Sequence, residues 1–577
     1  MTHLADRLAF PVSAIRAAEA PLISAERGTS ASGSPASADR LMRRAAWGVA
    51  DVARTVLRAQ EFLDDAGGRV YGHIACALVG AGDNGGDALY ALAELARSGL
   101  QVHAVLLAPD RVHSRALAAA RRRGARVHSP GDEAEIESLL SRLDPDIAID
   151  GIVGLGASGP PRPLAGHAAG VLAALGTPIV SVDVPSGIDP DTGLVHPGAI
   201  RPTATVTFGL WRRAHLLAST DCGALELVDI GIQQPGAGSG GAGAGKRSGA
   251  NATADPDAGL DPDSSRDNDG ADAGSDASSN AGALASLGTR SAGELWPVPG
   301  ESDNKYSGGV VAVRAGSDRY PGAAVLSSHA AVHATSAMVR YVGPCRREVL
   351  AERPEIVASS VVTNTGRSQA WVAGPGMGVG AESAQELEWI LSRDLPTVLD
   401  ADALRVLAEH PSVLRRRTAP LVLTPHAGEF DALAQTFAPE VAGTLAGDRA
   451  GAVRALARAF AGRGVDSATV LLKGRITIID DGRTAYAQDA GSSWAATPGS
   501  GDVLSGIVGA VLAAQASSTG ALGAVGVPHA VAMAQVVHSV AARLAAEEYG
   551  RPGAPIGASD LLAAVPEAIA RVREVAE

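Results

Sequence analysis

The stretch Ile74-Ala75-Cys76-Ala77-Leu78-Val79 runs without a break into Gly80-Ala81-Gly82-Asp83-Asn84-Gly85-Gly86-Asp87. Six apolar residues in a row leave no polar face, the pattern of a strand covered on both sides in a parallel sheet. The glycine-rich turn that follows leads into residues 88–98, which read as a helix. Outward from this unit the alternation continues, with strands at 102–108, 147–149, 179–183 and 204–208 and a helix at 114–124. Strand, loop and helix repeated in this way predict a Rossmann-like, doubly wound α/β sheet, whose ligands sit at the carboxyl ends of its strands. Upstream, residues 1 to about 70 read as helical, with amphipathic stretches at 12–20 and 40–62 joined by a small-residue loop at 28–38.

The alternation restarts in the second half. Strands are expected at 310–315, 370–373, 397–399, 421–423, 469–472 and 476–479, with a helix at 323–333. Nearly every strand ends in a polar, glycine-bearing loop. The last of these, Ala496-Thr497-Pro498-Gly499-Ser500-Gly501-Asp502, opens onto the apolar run that begins Val503-Leu504. It reads as a tight loop feeding the N-terminus of a buried helix, where unpaired backbone N–H groups accept an anion. So many functional loops on one edge favour an enzyme over a binding protein.

Between the halves, residues 233–292 lose all apolar periodicity and fill with Gly, Ala, Ser and Asp. They read as a flexible acidic linker, which divides the chain into domains at 1–232 and 293–577. Within the linker, Gly240 to Lys246 fits a phosphate-loop pattern, but Arg247 stands where Ser or Thr is needed and no strand precedes it, so that motif is rejected. At 577 residues the chain exceeds one core, and 46% hydrophobic with 19% charged residues is globular. A net charge of −13 argues against nucleic-acid binding, and three scattered cysteines against a disulfide framework or structural zinc. No leader or membrane-length apolar run is legible, so a cytoplasmic protein is expected, with homo-oligomerisation left open.

The loops suggest two sites. In the first half, Gly80, Gly82 and Gly85 satisfy GxGxxG, a weak dinucleotide signal by itself, with Asp110 a distant candidate for a ribose-binding acid. The ends of three strands add Asn84, Asp150 and, in Asp183-Val184-Pro185-Ser186-Gly187, further oxygens. An oxygen-only set suits a hard cation, although any single aspartate could merely cap a turn. In the second half, Lys473 could hold a phosphate, and Asp502 at the helix start could take a proton from a hydroxyl beside it. His426, with Glu429 three residues on, reads equally as a substrate contact or a hydrogen-bonded loop residue. Spacing does not separate a magnesium role for Asp400 and Asp402 from a loop-shaping one.

Together these motifs resemble the bifunctional NAD(P)H-hydrate repair enzymes, which fuse a YjeF-type epimerase domain to a ribokinase-like dehydratase. The resemblance rests on Arg40 to Ala45, Val79 to Asp87, Asp150 to Gly156 and Asp183 to Gly187 in the first half. In the second it rests on Tyr320 to Ala323, Gly374 to Gly378, Leu399 to Leu404, Leu423 to Phe430, Lys473-Gly474 and Gly499 to Leu504. It implies epimerisation of R and S NADHX and NADPHX, and ADP-dependent dehydration of the S form. It further implies an epimerase substrate site of Asp83, Asn84, Gly85, Gly86, Asp87, Gly154, Leu155, Gly156, Ala157, Ser158, Gly159, Pro160 and a catalytic Asp183. A potassium ion would lie on Asn84, Asp150 and Ser186. In the dehydratase, Ala323, Gly376, Gly378, His426 and the catalytic Asp502 would face the hydrate. Lys473, Gly474, Arg475, Ile476, Thr477, Gly499, Ser500 and Gly501 would take ADP with its magnesium. The chain departs from the family pattern at Asp83, Ala88 and Leu155 and over 19–37.

Overall fold

A computed structural model of the chain describes residues 5–30, 39–63, 70–235, 282–335, 337–518 and 521–577. The first sheet has seven strands, in the spatial order Arg126–His128, Gln101–Leu106, Ile74–Val79, Ile147–Gly151, Ile179–Val182, Ala204–Phe208, Ala224–Val228. All its pairings are parallel. Strand order reverses between Ile74–Val79 and Ile147–Gly151, so the crevice expected of a doubly wound sheet opens beside the glycine-rich turn. The helix there spans Asp83–Arg97 and starts five residues before the sequence suggests. Glycines weaken a helix in isolation. Here packing prevails: a Cβ at Gly86 would stand 2.6 Å from the Met42 sulfur, so the glycine gives the Met42 side chain of the Arg40–Leu63 helix its place.

The second sheet has twelve strands. Seven are parallel, in the order Val357–Ser359, Val339–Val342, Val311–Arg314, Ala370–Ala373, Thr397–Leu399, Leu421–Leu423, Ala468–Leu472. Antiparallel Ile476–Asp480 and Ala485–Asp489 follow. The helix Ser500–Ser517, apolar almost all round, packs between this sheet and the helices Pro321–Ala334 and Val527–Glu547. That burial is why its sequence shows no polar face.

The sheet then continues in strands that the sequence does not announce. Leu284–Ser286 pairs with Ala485–Asp489, Arg7–Phe10 pairs antiparallel with Leu284–Ser286, and Trp211–Arg212 pairs with Arg7–Phe10. Two expectations change accordingly. The first seventy residues are not all helix, because Arg7–Phe10 is a strand before the helix Val12–Ser30. The span 233–292 does not read as linker to its end: Leu284–Ser286 is a strand and Thr289–Glu294 a helix. Its part from 236 to 281, with the rejected phosphate-loop motif, and residues 31–38 of the expected loop lie outside the described residues. Ala9, Leu216, Leu284, Ile476, Ala485 and Ala487 form a small apolar core at the junction, and Ser219 donates to Asp489 across it.

Candidate functional sites

At the crevice of the first sheet, three strand ends meet. Asp150 is almost fully buried and accepts from the Ser181 hydroxyl at 2.8 Å, the Ser186 hydroxyl at 2.7 Å, the Ser186 amide at 2.9 Å and the Ile152 amide at 3.3 Å. Burial still raises its pKa, and no cationic side chain is among these partners. Asn84 donates to the Val182 carbonyl at 2.9 Å, and its amide oxygen lies against Gly154. Asn84, Asp150 and Ser186 are thus brought to neighbouring loop ends, an oxygen-rich setting with a lone buried carboxylate.

Beside it lies a cleft of about 520 Å³ lined by Glu19, Met42, Asp83, Asp87, His113 and Phe208 among others. Burial, reinforced by Asp183, Asp83 and Glu19, pushes the pKa of Asp87 well above the carboxylate range, and burial also raises Glu19. Asp183 is buried and sits at φ 69, a left-handed backbone that a non-glycine residue adopts only where its surroundings enforce it. Its Oδ1 is 2.7 Å from the Arg212 guanidinium and accepts from Thr207 at 3.1 Å. The Arg212 amide donates to His215 Nδ1 at 3.1 Å, so the proton of this neutral ring is on Nε2, which donates to the Asp183 carbonyl at 2.8 Å. Burial and Arg212 lower the pKa of His215 to about 3. The loop Gly154, Leu155, Gly156, Ala157, Ser158, Gly159, Pro160 follows the strand Ile147–Gly151, and Leu155 packs on Phe10, Ile15 and Leu210.

In the second sheet the site gathers at the ends of the parallel strands. Lys473, after Ala468–Leu472, donates to Asp400 Oδ1 at 2.7 Å and lies 3.8 Å from Glu429. Burial alone would lower its pKa; Asp400, Glu429 and Asp502 outweigh burial and raise it. Ser505 donates to the other Asp400 oxygen at 2.6 Å. The glycine at 374 is obligatory: φ is 128, and a Cβ would stand 1.8 Å from the Asp400 carbonyl.

Gly499 caps the Ser500–Ser517 helix with left-handed backbone, and a Cβ on Gly501 would be 3.3 Å from the Lys473 ammonium. His538, buried with a pKa lowered to about 4, holds the Ser500 carbonyl at 3.0 Å. One turn into the helix, burial and then Asp400 raise Asp502 to about 7, while Lys473 opposes them. A carboxyl group that titrates near neutrality beside an ammonium, at a helix N-terminus, can act as a base toward a hydroxyl held there.

The other expected residues divide. Ala323 stands against Gly376, and Gly378 donates to Asp402 at 2.9 Å, so this loop faces the same edge. His426 is exposed and caps the helix Ala427–Phe437 through its Nδ1, while Glu429 closes a reciprocal capping box, which favours the loop-histidine reading for Nδ1 and leaves Nε2 beside Glu429 Oε1 at 3.4 Å. Arg475 pairs with Asp489 at 2.8 Å, Ile476 is buried in the junction core, and the Thr477 hydroxyl donates to the Gly474 carbonyl at 3.1 Å. Sequence reasoning missed Glu19, Arg212, Ser505 and His538. Glu19, Arg212 and His538 reach their sites from elements distant along the chain, whereas Ser505 follows directly on the Gly499–Leu504 motif in the Asp502 helix.

Models of two families match the chain, YjeF-related protein N-terminus over 38–214 and NAD(P)H-hydrate dehydratase over 311–564. The bifunctional NAD(P)H-hydrate repair enzyme of Mycobacterium leprae is 42% identical, covering 97% of this chain and 99% of its own length. That of Mycobacterium tuberculosis is 43% identical over 87% of this chain and 89% of its own. Among solved structures, an ADP/ATP-dependent NAD(P)H-hydrate dehydratase from Bacillus subtilis, co-crystallised with ATP and Mg2+, aligns at 21% identity with a TM-score of 0.40, covering 49% of this chain and 97% of that one.

Proposed function

The chain belongs to the family of bifunctional NAD(P)H-hydrate repair enzymes, and we propose that each of its two sheets carries one of the two repair reactions. The first-sheet cleft interconverts the R and S forms of NADHX and NADPHX, with Asp183 as the group that moves the proton. The second-sheet site dehydrates the S form, converting ADP to AMP and phosphate. Hydroxide is a poor leaving group from the hydrated ring. Transfer of the β-phosphoryl of ADP to the ring hydroxyl, with the hydroxyl proton passing to Asp502, turns that oxygen into a phosphate ester and releases AMP. The ring-nitrogen electron pair then expels phosphate, and loss of a proton from the adjacent carbon restores the reduced ring.

The observation that carries this reading is the position of Asp502, with its pKa raised to about 7, at a helix start that also presents the Gly499 and Gly501 amides and Lys473. The amides and the ammonium hold the charge that develops on the phosphoryl oxygens. Both Asp400 oxygens are engaged by Lys473 and Ser505, and Asp402 Oδ2 by Gly378, so magnesium is best accommodated on the phosphates of ADP, whose charge it neutralises. Both Asp150 oxygens are engaged as well, but only by the neutral donors of Ser181, Ser186 and Ile152, so its charge is uncompensated where that of Asp400 is met by Lys473; Asn84, Asp150 and Ser186 would hold potassium there and it would keep that loop junction in register. Such a repair enzyme works where the reduced cofactors are made, in the cytoplasm.

The test follows recovery of reduced-nicotinamide absorbance from mixed R and S NADHX with ADP, magnesium and potassium. Complete recovery is expected from the wild type. Recovery stalling at the S fraction is expected from Asp183→Ala, and none from Asp502→Ala. An Asp502→Ala enzyme with near wild-type dehydration would refute the assignment.

A further inference from the structure

We infer that Arg212 is a positioning residue of the epimerase, fixing which oxygen of Asp183 is offered to the substrate, and that it is itself fixed from the dehydratase sheet. The inference rests on Asp183 being the proton-moving group proposed above.

The Arg212 side chain is almost wholly buried, and a desolvated guanidinium is tolerated only beside groups that compensate its charge. Its Nε lies 2.7 Å from Asp183 Oδ1 as an ion pair whose N–H is not aligned for a hydrogen bond. One Nη donates to the carbonyls of Phe208, at 2.8 Å, and Leu210; the other reaches Glu19 at 3.5 Å. A planar fork held at three points cannot swivel, so it fixes the carboxylate it touches. With Thr207 donating to Oδ1 and the guanidinium paired against it, that oxygen is engaged twice, and Oδ2 is the one left for chemistry.

The backbone of Arg212 is placed by an unusual neighbour. It pairs with Phe10 of the strand Arg7–Phe10, which is joined through Leu284–Ser286 to Ala485–Asp489 of the second sheet. Glu19, the second carboxylate that Arg212 touches, stands on the helix that leaves the same strand. A buried ion pair that served only to neutralise charge would need none of this. Here the guanidinium joins a strained catalytic backbone to a strand contributed by the first residues of the chain.

The experiment measures kcat and KM for epimerisation of R-enriched NADHX, coupled to an excess of separately added dehydratase, for Arg212→Met, Arg212→Lys and Asp183→Ala. Misplacing a reacting group by about an ångström lowers turnover on the order of 10²-fold. Arg212→Met is therefore expected to lose about 10²-fold in kcat while KM changes by less than about threefold. Arg212→Lys restores the charge without the fork, so its kcat recovers only in part at an unchanged KM. If Arg212→Met does not fold, that partial loss of kcat at unchanged KM in Arg212→Lys decides the matter alone. Wild-type kcat in either variant, or a loss confined to KM, overturns the inference while a dead Asp183→Ala leaves the parent reading intact. An active Asp183→Ala removes both.

Discussion

Asp502 is expected to destabilise the protein that it serves. Its pKa rises from 3.8 to about 7 in the fold, chiefly by burial and then by Asp400. The folded state thus binds the proton more tightly than the unfolded chain does. Proton uptake stabilises the fold as the pH falls from about 7 to about 4, and that increment is lost as the pH rises through the same window. Three pH units correspond to ~4 kcal/mol at roughly 1.4 kcal/mol each, and partial solvent access reduces this to about 2 kcal/mol. The Asp502→Asn variant carries a neutral isostere that escapes the penalty.

At pH 8 the variant is expected to melt roughly 4–8 °C above the wild type, given about 2–4 °C per kcal/mol for a domain of this size. At pH 4 the two are expected to coincide. Thermal unfolding followed by circular dichroism over that range makes the comparison, with no nucleotide present. In parallel, wild-type dehydration should be about tenfold slower at pH 6 than at pH 8, as the ionised fraction goes from about a tenth to about nine tenths. A variant no more stable than wild type at pH 8, or a gap that widens on acidification, would refute the reasoning.

Two further outcomes follow from the geometry. Gly374→Ala places a Cβ 1.8 Å from the Asp400 carbonyl at a backbone φ of 128, so it should destabilise the second domain by more than about 3 kcal/mol in urea unfolding and remove most dehydratase activity. Replacing potassium by sodium in the buffer should slow epimerisation without slowing dehydration of the S form, and Asp150→Asn should abolish that difference between the two cations; equal epimerisation rates in the two wild-type buffers would count against the Asp150 pocket.

What could be read from the sequence was whatever a short window contains. Ile74–Val79, Ile147–Gly151 and Leu421–Leu423 are buried on both faces, so their apolar runs are continuous, and the glycine-bearing loops after them mark the ligand edge. Arg7–Phe10 and Leu284–Ser286 have four and three residues, too few to establish a period, and they are strands only because each finds a distant neighbour. The start of the Asp83–Arg97 helix was obscured because the glycine pair that argues against a helix answers close packing, Gly85 against the Gly80 carbonyl and Gly86 against Met42 of the neighbouring helix. Arg212 and Glu19 lie 29 and 164 positions from Asp183 along the chain by their numbers and meet it through tertiary structure that no motif encodes.

The capture of Arg7–Phe10 by the second sheet also orders events during synthesis. Residues 7–10 leave the ribosome well before 485–489, the strand that anchors their partner Leu284–Ser286. At about 5–20 residues per second the delay is on the order of half a minute to a minute and a half. Through that interval Arg7–Phe10 has Trp211–Arg212 and then Leu284–Ser286 to pair with, but this short ribbon lacks the strand Ala485–Asp489 that ties it to the larger sheet. The ribbon that steadies Arg212 is therefore anchored only by the same late step that completes the dehydratase sheet.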